Sequence, residues 1–201
     1  MPTDRFAHKA DTYDQSRQRV DNVDNIAQAM LAAVPLAPTQ HILDFGSGTG
    51  LLLEKIAPHV GRMTAVDISP SMNRQLHDKR DRLGCPLDIL EVDLATTRLA
   101  LEVDGIVSYM TLHHIRDIDA LFRTFHDLVK AGGFIALADL DREDGSFHAE
   151  DTGVFHHGFD RDAIAETARQ AGFSDVRVST ASVVNKPHGN YGVFLLTARR
   201  R

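Results

Sequence analysis

Two spacings of apolar residues alternate along this chain. Val20, Val23, Ile26, Ala27, Met30, Leu31 and Val34 recur at three- and four-residue steps, which predicts a helix that Pro35 and Pro38 stop. A short apolar run, Ile42-Leu43-Asp44, then predicts a strand. Further strands are expected at 63–68, 87–94, 104–109 and 131–138. Between them, 51–59, 71–83 and 118–130 return to helical spacing, clearest in Ile118, Leu121, Phe122, Phe125 and Val129. After residue 140 the chain turns polar, glycine-bearing and histidine-rich as far as Gly158. A helix over 161–170, capped by Asp160 and ended by Gly172, precedes two more strands at 173–180 and 191–198. Strands alternating with helices imply a parallel sheet with right-handed crossovers, whose ligand site lies beyond the carboxyl ends of the strands.

The first strand runs into the turn Asp44-Phe45-Gly46-Ser47-Gly48-Thr49-Gly50. Glycines let the backbone turn sharply and approach a ligand, and a helix starting near Gly50 is expected to aim free N–H groups into the same space. A dinucleotide site wants its third small residue where Leu51 stands, and no Gly-Lys-Ser/Thr comes after the turn to make a phosphate loop. The expected ligand is therefore nucleoside-like and lacks a pyrophosphate. Further acids close later strands. Asp67 ends the second, and an ionised carboxylate accepts the two hydroxyl donors of a ribose. Asp93 ends the third.

In this turn, and in the order of its later strands and acids, the chain resembles the class I S-adenosylmethionine-dependent methyltransferases. The resemblance covers about residues 40–140, through Asp67, Asp93, the segment Ser108-Tyr109-Met110-Thr111-Leu112-His113-His114 and the Gly132-Gly133 turn into the fifth strand. It implies an α/β, doubly wound, mostly parallel seven-stranded sheet in the order 3-2-1-4-5-7-6. It implies S-adenosyl-L-methionine as cofactor, with S-adenosyl-L-homocysteine as product. The cofactor is expected on Asp44, Gly46, Ser47, Gly48 and Gly50, with its ribose on Asp67 and its adenine near Asp93. Contacts from Ile68, Met72 and Leu94 are expected too, with Ser108 and Tyr109 near the methionyl part. Phe6 to Asp14 resembles an N-terminal lid in which Tyr13 closes over the cofactor; an ordinary surface helix is the other reading. One domain is expected over 1–201, with a helical lid over 1–38 and an active-site loop over 141–160.

Composition bounds the function. The 201 residues are 43% hydrophobic, enough for one core, and a net charge of −6 gives no basic face for nucleic acid. The single cysteine excludes an internal disulfide and zinc-type cysteine clusters. No apolar run approaches membrane-spanning length and the first residues lack a signal-peptide core, so the expected location is cytoplasmic, with no membrane partner.

Methyl transfer from a sulfonium is an in-line displacement that needs positioning first and a base only when the acceptor must lose a proton. His113 and His114 come after the fourth strand, where small-molecule members similar to the quinone-biosynthesis methyltransferases carry a Leu-His-His segment. His114 is the first candidate to orient the acceptor or take its proton, with His113 beside it; hydrogen bonding within the turn is the plainer role for both. His148, His156 and His157, with Glu150 and Asp151, form a second histidine group, but their spacing fits no recognised ligand pattern and no metal is assigned. Absence of an Asn/Asp-Pro-Pro-Tyr/Phe motif and of a Pro-Cys nucleophile points to a small organic acceptor. The alternative is a non-catalytic S-adenosylmethionine-binding regulator. A short-chain oxidoreductase is disfavoured, since Tyr109 is followed by His113 and Tyr13 by Arg17 where a Tyr-x-x-x-Lys pair needs lysine. The oligomeric state is not legible.

Overall fold

The computed structural model describes residues 4–94, 96–148 and 153–201. After a 3-10 turn at Ala10–Gln15, helix α1 spans Arg17–Ala33, with Ser16 accepting the Arg19 N–H as its cap. Strand β1 (His41–Phe45), helix α2 (Leu51–Ile56), strand β2 (Arg62–Val66), helix α3 (Pro70–Lys79) and strand β3 (Leu87–Leu90) come next. The second half carries β4 (Val103–Tyr109), α4 (Ile118–Leu128), β5 (Val129–Leu140), α5 (Arg161–Gln170), β6 (Phe173–Lys186) and β7 (Gly189–Arg200).

The seven strands form one sheet in the order β3-β2-β1-β4-β5-β7-β6. Five strands run parallel, and β7 pairs antiparallel with both β5 and β6. This is the expected topology. Because both faces of the sheet are covered, neighbouring residues of one strand enter different cores. Ile42 packs with α1 and α2 residues such as Ile26, Met30 and Leu52. Leu43, the next residue, packs with Phe122 and Phe125 of α4 and Ile164 of α5.

Chain order reverses between β1 and β4, so the segments leaving these two strands meet at the switch point of the sheet. That meeting is tight. A β-carbon on Gly46, whose φ is +69°, would lie 2.2 Å from Thr111 Oγ1, so only glycine fits.

Several boundaries differ from expectation. The third strand stops at Leu90, leaving Asp93 in a turn where its carbonyl accepts the N–H groups of Thr96 and Thr97. The strands expected at 173–180 and 191–198 extend to Lys186 and begin at Gly189, making a long hairpin. Its extra residues sit over α1, where Val184 and Tyr191 join the core, so tertiary packing rather than local alternation lengthens them. The helix expected over 51–59 ends at Ile56 and tightens into a 3-10 turn at Pro58, while 71–83 is helical from Pro70 and tightens after Lys79.

Candidate functional site

A cavity of about 820 Å³ opens at the carboxyl ends of β1, β2 and β4. Gly46, Gly48, Asp67, Ile68, Met72, Asp93, Leu94, Tyr109, Tyr13, His113 and His114 all line it. Asp44, Ser47, Gly50 and Ser108, also expected at the site, lie behind its wall. The Ser108 hydroxyl donates to the Phe45 carbonyl at 2.7 Å, tying β4 to the end of β1.

Four of the N–H groups around the glycine turn are already taken. Gly46 and Ser47 both donate to the Val66 carbonyl, Gly50 donates to Ser47, and α2 is only six residues long. Gly48 donates instead to Asp67 Oδ2 at 2.8 Å. The other Asp67 oxygen accepts the Ser69 N–H at 2.8 Å, so two backbone donors fix this half-buried carboxylate at the cavity wall. Burial raises its pKa, and these two hydrogen bonds act against the rise. The turn therefore contributes shape: a β-carbon on Gly48 would meet nothing within 4 Å, so the backbone itself borders open space.

Asp44 is a second acid of different character. It is fully buried, neither oxygen has a hydrogen-bond partner among the described residues, and its pKa is pushed up to about 8, by burial first and by the neighbouring Asp67 charge second.

The N-terminal segment spans the cavity mouth. Asp4 accepts from Ser69 Oγ at 2.9 Å and from Ser71 Oγ at 2.6 Å and N at 3.1 Å, at the start of α3. Asp14 accepts from Thr49 Oγ1 at 2.6 Å and pairs with Lys79. Tyr13, between these anchors, hydrogen-bonds Tyr109; burial raises the pKa of both phenols, keeping them neutral.

The histidines regroup relative to expectation. His113 Nδ1 lies 2.6 Å from Asp139 Oδ1, and both side chains are at most 1% exposed. Asp139 also accepts the Leu112 N–H at 2.8 Å, holding the 3-10 turn Leu112–His114 that presents both histidines. Burial alone would raise Asp139, but the charge and hydrogen bond of His113 leave it below its ordinary value. His148 joins this pair, its ring centroid 5.1 Å from that of His113 and 5.8 Å from that of His114. A turn in which Glu143 accepts the N–H groups of Gly145 and Phe147 delivers it. Burial first and the charge of His113 second push His114 down to about 4 and His148 to about 3.

His156 and His157 do not share a cluster with His148. The His156 ring bonds the Ile115 carbonyl at 2.9 Å, and His157 is exposed beside Glu143. Glu150 and Asp151 lie outside the described residues. Asp139 is missed by the sequence pattern because the fifth apolar run is expected to end at Ala138. Its signal is present all the same: an acid closing an apolar strand, as in β1 and β2.

Residues 13–178 match a family model described as a methyltransferase domain. The chain belongs to the methyltransferase domain family. A Schizosaccharomyces pombe protein described as an uncharacterized methyltransferase is 27% identical over 169 residues, covering 76% of this chain and 58% of the relative. Phosphoethanolamine N-methyltransferase 1 of Arabidopsis thaliana is 31% identical over 70% of this chain but 30% of its own. Ubiquinone biosynthesis O-methyltransferase of Xanthomonas campestris is 26% identical over 72% of this chain and 62% of its own. The chain thus spans about three-fifths or less of the length of these curated relatives. Among solved structures, the complex of a Haloferax volcanii methyltransferase activator with a methyltransferase matches with TM-score 0.78 at 16% identity, covering 99% of both chains. Haemonchus contortus phosphoethanolamine N-methyltransferase 2 with S-adenosyl-L-methionine matches with TM-score 0.70 at 15% identity, covering 88% of this chain and 52% of that one. These likenesses establish the fold. Among the described residues, no helix is long and apolar enough to cross a membrane.

Proposed function

We propose that this methyltransferase moves a methyl group from S-adenosyl-L-methionine to a small organic acceptor held at the histidine end of the cavity. The observation that carries the reading is Asp67. Its carboxylate is fixed by Gly48 and Ser69 at the cavity wall, and its remaining lone pairs suit the two hydroxyls of a ribose. Around it, Ile68 is 64% exposed at the cavity rim, an apolar surface against which an adenine ring gains by packing. Asp93 and Leu94 line the same side and are assigned to the adenine, with Met72 beside them. Gly46 and Tyr109 border the methionyl part, with Asp44 behind the wall, protonated in the donor-free protein and ionising as the donor's ammonium and sulfonium arrive. Ser47, Gly50 and Ser108 act through the turn, and Tyr13 closes over the donor from the lid.

Holding the acceptor atom in line with the departing sulfur is the main requirement of the reaction. His113, His114 and His148 face that end of the cavity. Asp139 holds His113 by Nδ1, which turns Nε2 away from the carboxylate and sets the tautomer. His114 orients the acceptor. A small acceptor agrees with the cavity's size and with the net negative charge, which gives no footprint for nucleic acid.

Calorimetric titration with S-adenosyl-L-homocysteine and with NAD tests the donor, and a panel of small thiols, phenols and quinones with labelled methyl donor tests the transfer. The reading expects affinity for S-adenosyl-L-homocysteine alone and label on at least one acceptor. Loss of a charge-assisted hydrogen-bond pair in Asp67→Asn lowers that affinity by roughly tenfold to a hundredfold. Binding without transfer to any acceptor favours the regulatory alternative, and affinity for NAD alone refutes the reading.

A further inference from the structure

His113, His114 and His148 come from two separate segments, the turn after β4 and the loop after β5, and each offers a ring nitrogen within 4.8 Å of the other two. A buried imidazole nitrogen left without a partner is costly. His113 shows the cost most plainly. Its Nδ1 is committed to Asp139, and its Nε2 is buried with no hydrogen-bond partner among the described residues. A carboxylate behind a histidine whose other nitrogen faces a cluster of nitrogen donors is the arrangement that orients metal-ligating histidines. His114 Nδ1 lies 3.4 Å from the Gly153 carbonyl, which places an N–H there and leaves Nε2 for the cluster.

We propose that these three histidines bind one divalent transition-metal ion of the zinc class, with Asp139 as the positioning residue behind His113. Three imidazole ligands suit zinc, cobalt or iron rather than magnesium or calcium, which prefer oxygen. Bonds of about 2.0–2.1 Å in a tetrahedral site set ligand nitrogens roughly 3.3 Å apart, so closure asks for movements of about 1 Å, within reach of side-chain rotation. The fourth position opens on the cavity. Resting on the methyl-transfer reading, its occupant is the hydroxyl or thiol of the acceptor. That group coordinates, releases its proton to water, and attacks the donor methyl carbon with the freed lone pair. The breaking carbon–sulfur bond returns its electrons to sulfur, leaving a neutral thioether. In this arrangement His113 is a ligand and takes no proton.

The test is a titration of chelator-treated protein with cobalt(II), followed by visible absorption, with zinc(II) as competitor. The proposal expects one equivalent bound with a ligand-field spectrum that zinc abolishes. His113→Ala and His148→Ala should weaken binding at least a hundredfold, and Asp139→Asn by about tenfold to a hundredfold. His157→Ala, on an exposed ring, should leave binding unchanged. His148 is only partly buried, so its variant carries the test if His113→Ala fails to fold. Absence of a stoichiometric spectrum, or its survival in His148→Ala, overturns the metal site. Calorimetry with S-adenosyl-L-homocysteine on the same metal-free sample keeps the two readings apart. Binding there leaves the donor assignment standing whatever the cobalt result, and its absence sinks that assignment alone.

Discussion

Replacing Asp44 by Asn should make the donor-free protein more stable. Asp44 is fully buried, has no hydrogen-bond partner among the described residues, and titrates near 8 against an ordinary value of 3.8. The native state therefore holds a proton that the unfolded chain releases at lower pH. The stabilising contribution of that proton is fully present below about pH 4 and is lost as pH rises toward 8. At pH 7 the offset is roughly 3 pKa units, or about 4 kcal/mol at ~1.4 kcal/mol each. Asparagine keeps the shape and abolishes the equilibrium, but buries amide donors that find no partner, at a cost of about 1–3 kcal/mol. A net gain of about 2 kcal/mol remains, a rise in melting temperature of roughly 4–8 °C for a chain of this size. Thermal unfolding of both proteins without donor, from pH 5 to pH 9, measures it. The gap should widen with pH and level off near 8. A wild type at least as stable as the variant at pH 7, or a gap that ignores pH, refutes the reasoning. The same variant should bind S-adenosyl-L-homocysteine about tenfold more weakly, because it has no carboxyl that can ionise when the ligand's ammonium arrives.

The remaining predictions concern the turn, the lid and the histidines. Gly46→Ala forces a β-carbon into Thr111 and should cost about 3 kcal/mol or more in chemical denaturation, whereas Gly48→Ala, with nothing in its way, should cost only the ~1–2 kcal/mol of its positive φ. Comparable losses in both would show that the turn is not built as described. Asp4→Ala and Asp14→Ala each remove hydrogen bonds that anchor the N-terminal segment, and each should raise the dissociation rate of S-adenosyl-L-homocysteine by roughly fivefold in stopped flow. Rates equal to wild type would remove the lid role. His114→Ala should cut turnover at least tenfold while affinity for S-adenosyl-L-homocysteine stays within twofold, and unchanged turnover would remove His114 from the mechanism.

The sheet was legible because its signals are local and repeated. Short apolar strands, acids at strand ends and helices with one apolar face recur in an order that admits few topologies. Asp67 was legible for the same reason, since an acid closing a strand beside the switch point has few other places to go. What escaped the sequence depends on contacts between distant segments. His148 shares no spacing with His113 and His114, and only the fold of 143–147 brings it to them. His156, in contrast, sits close to His148 in sequence but is drawn off by the Ile115 carbonyl. That Val66 and Asp67 take the N–H groups of Gly46, Ser47 and Gly48 is likewise invisible to periodicity. The length of the β6–β7 hairpin was lost likewise, since packing against α1 rather than strand alternation holds its outer half.

A crystal structure with S-adenosyl-L-homocysteine bound tests the central claim most directly. The account predicts both ribose hydroxyls on the Asp67 carboxylate, the adenine along Ile68 and Leu94, and the sulfur facing His113 and His114. Ligand density away from Asp67, or a sulfur turned from the histidine end of the cavity, would contradict it.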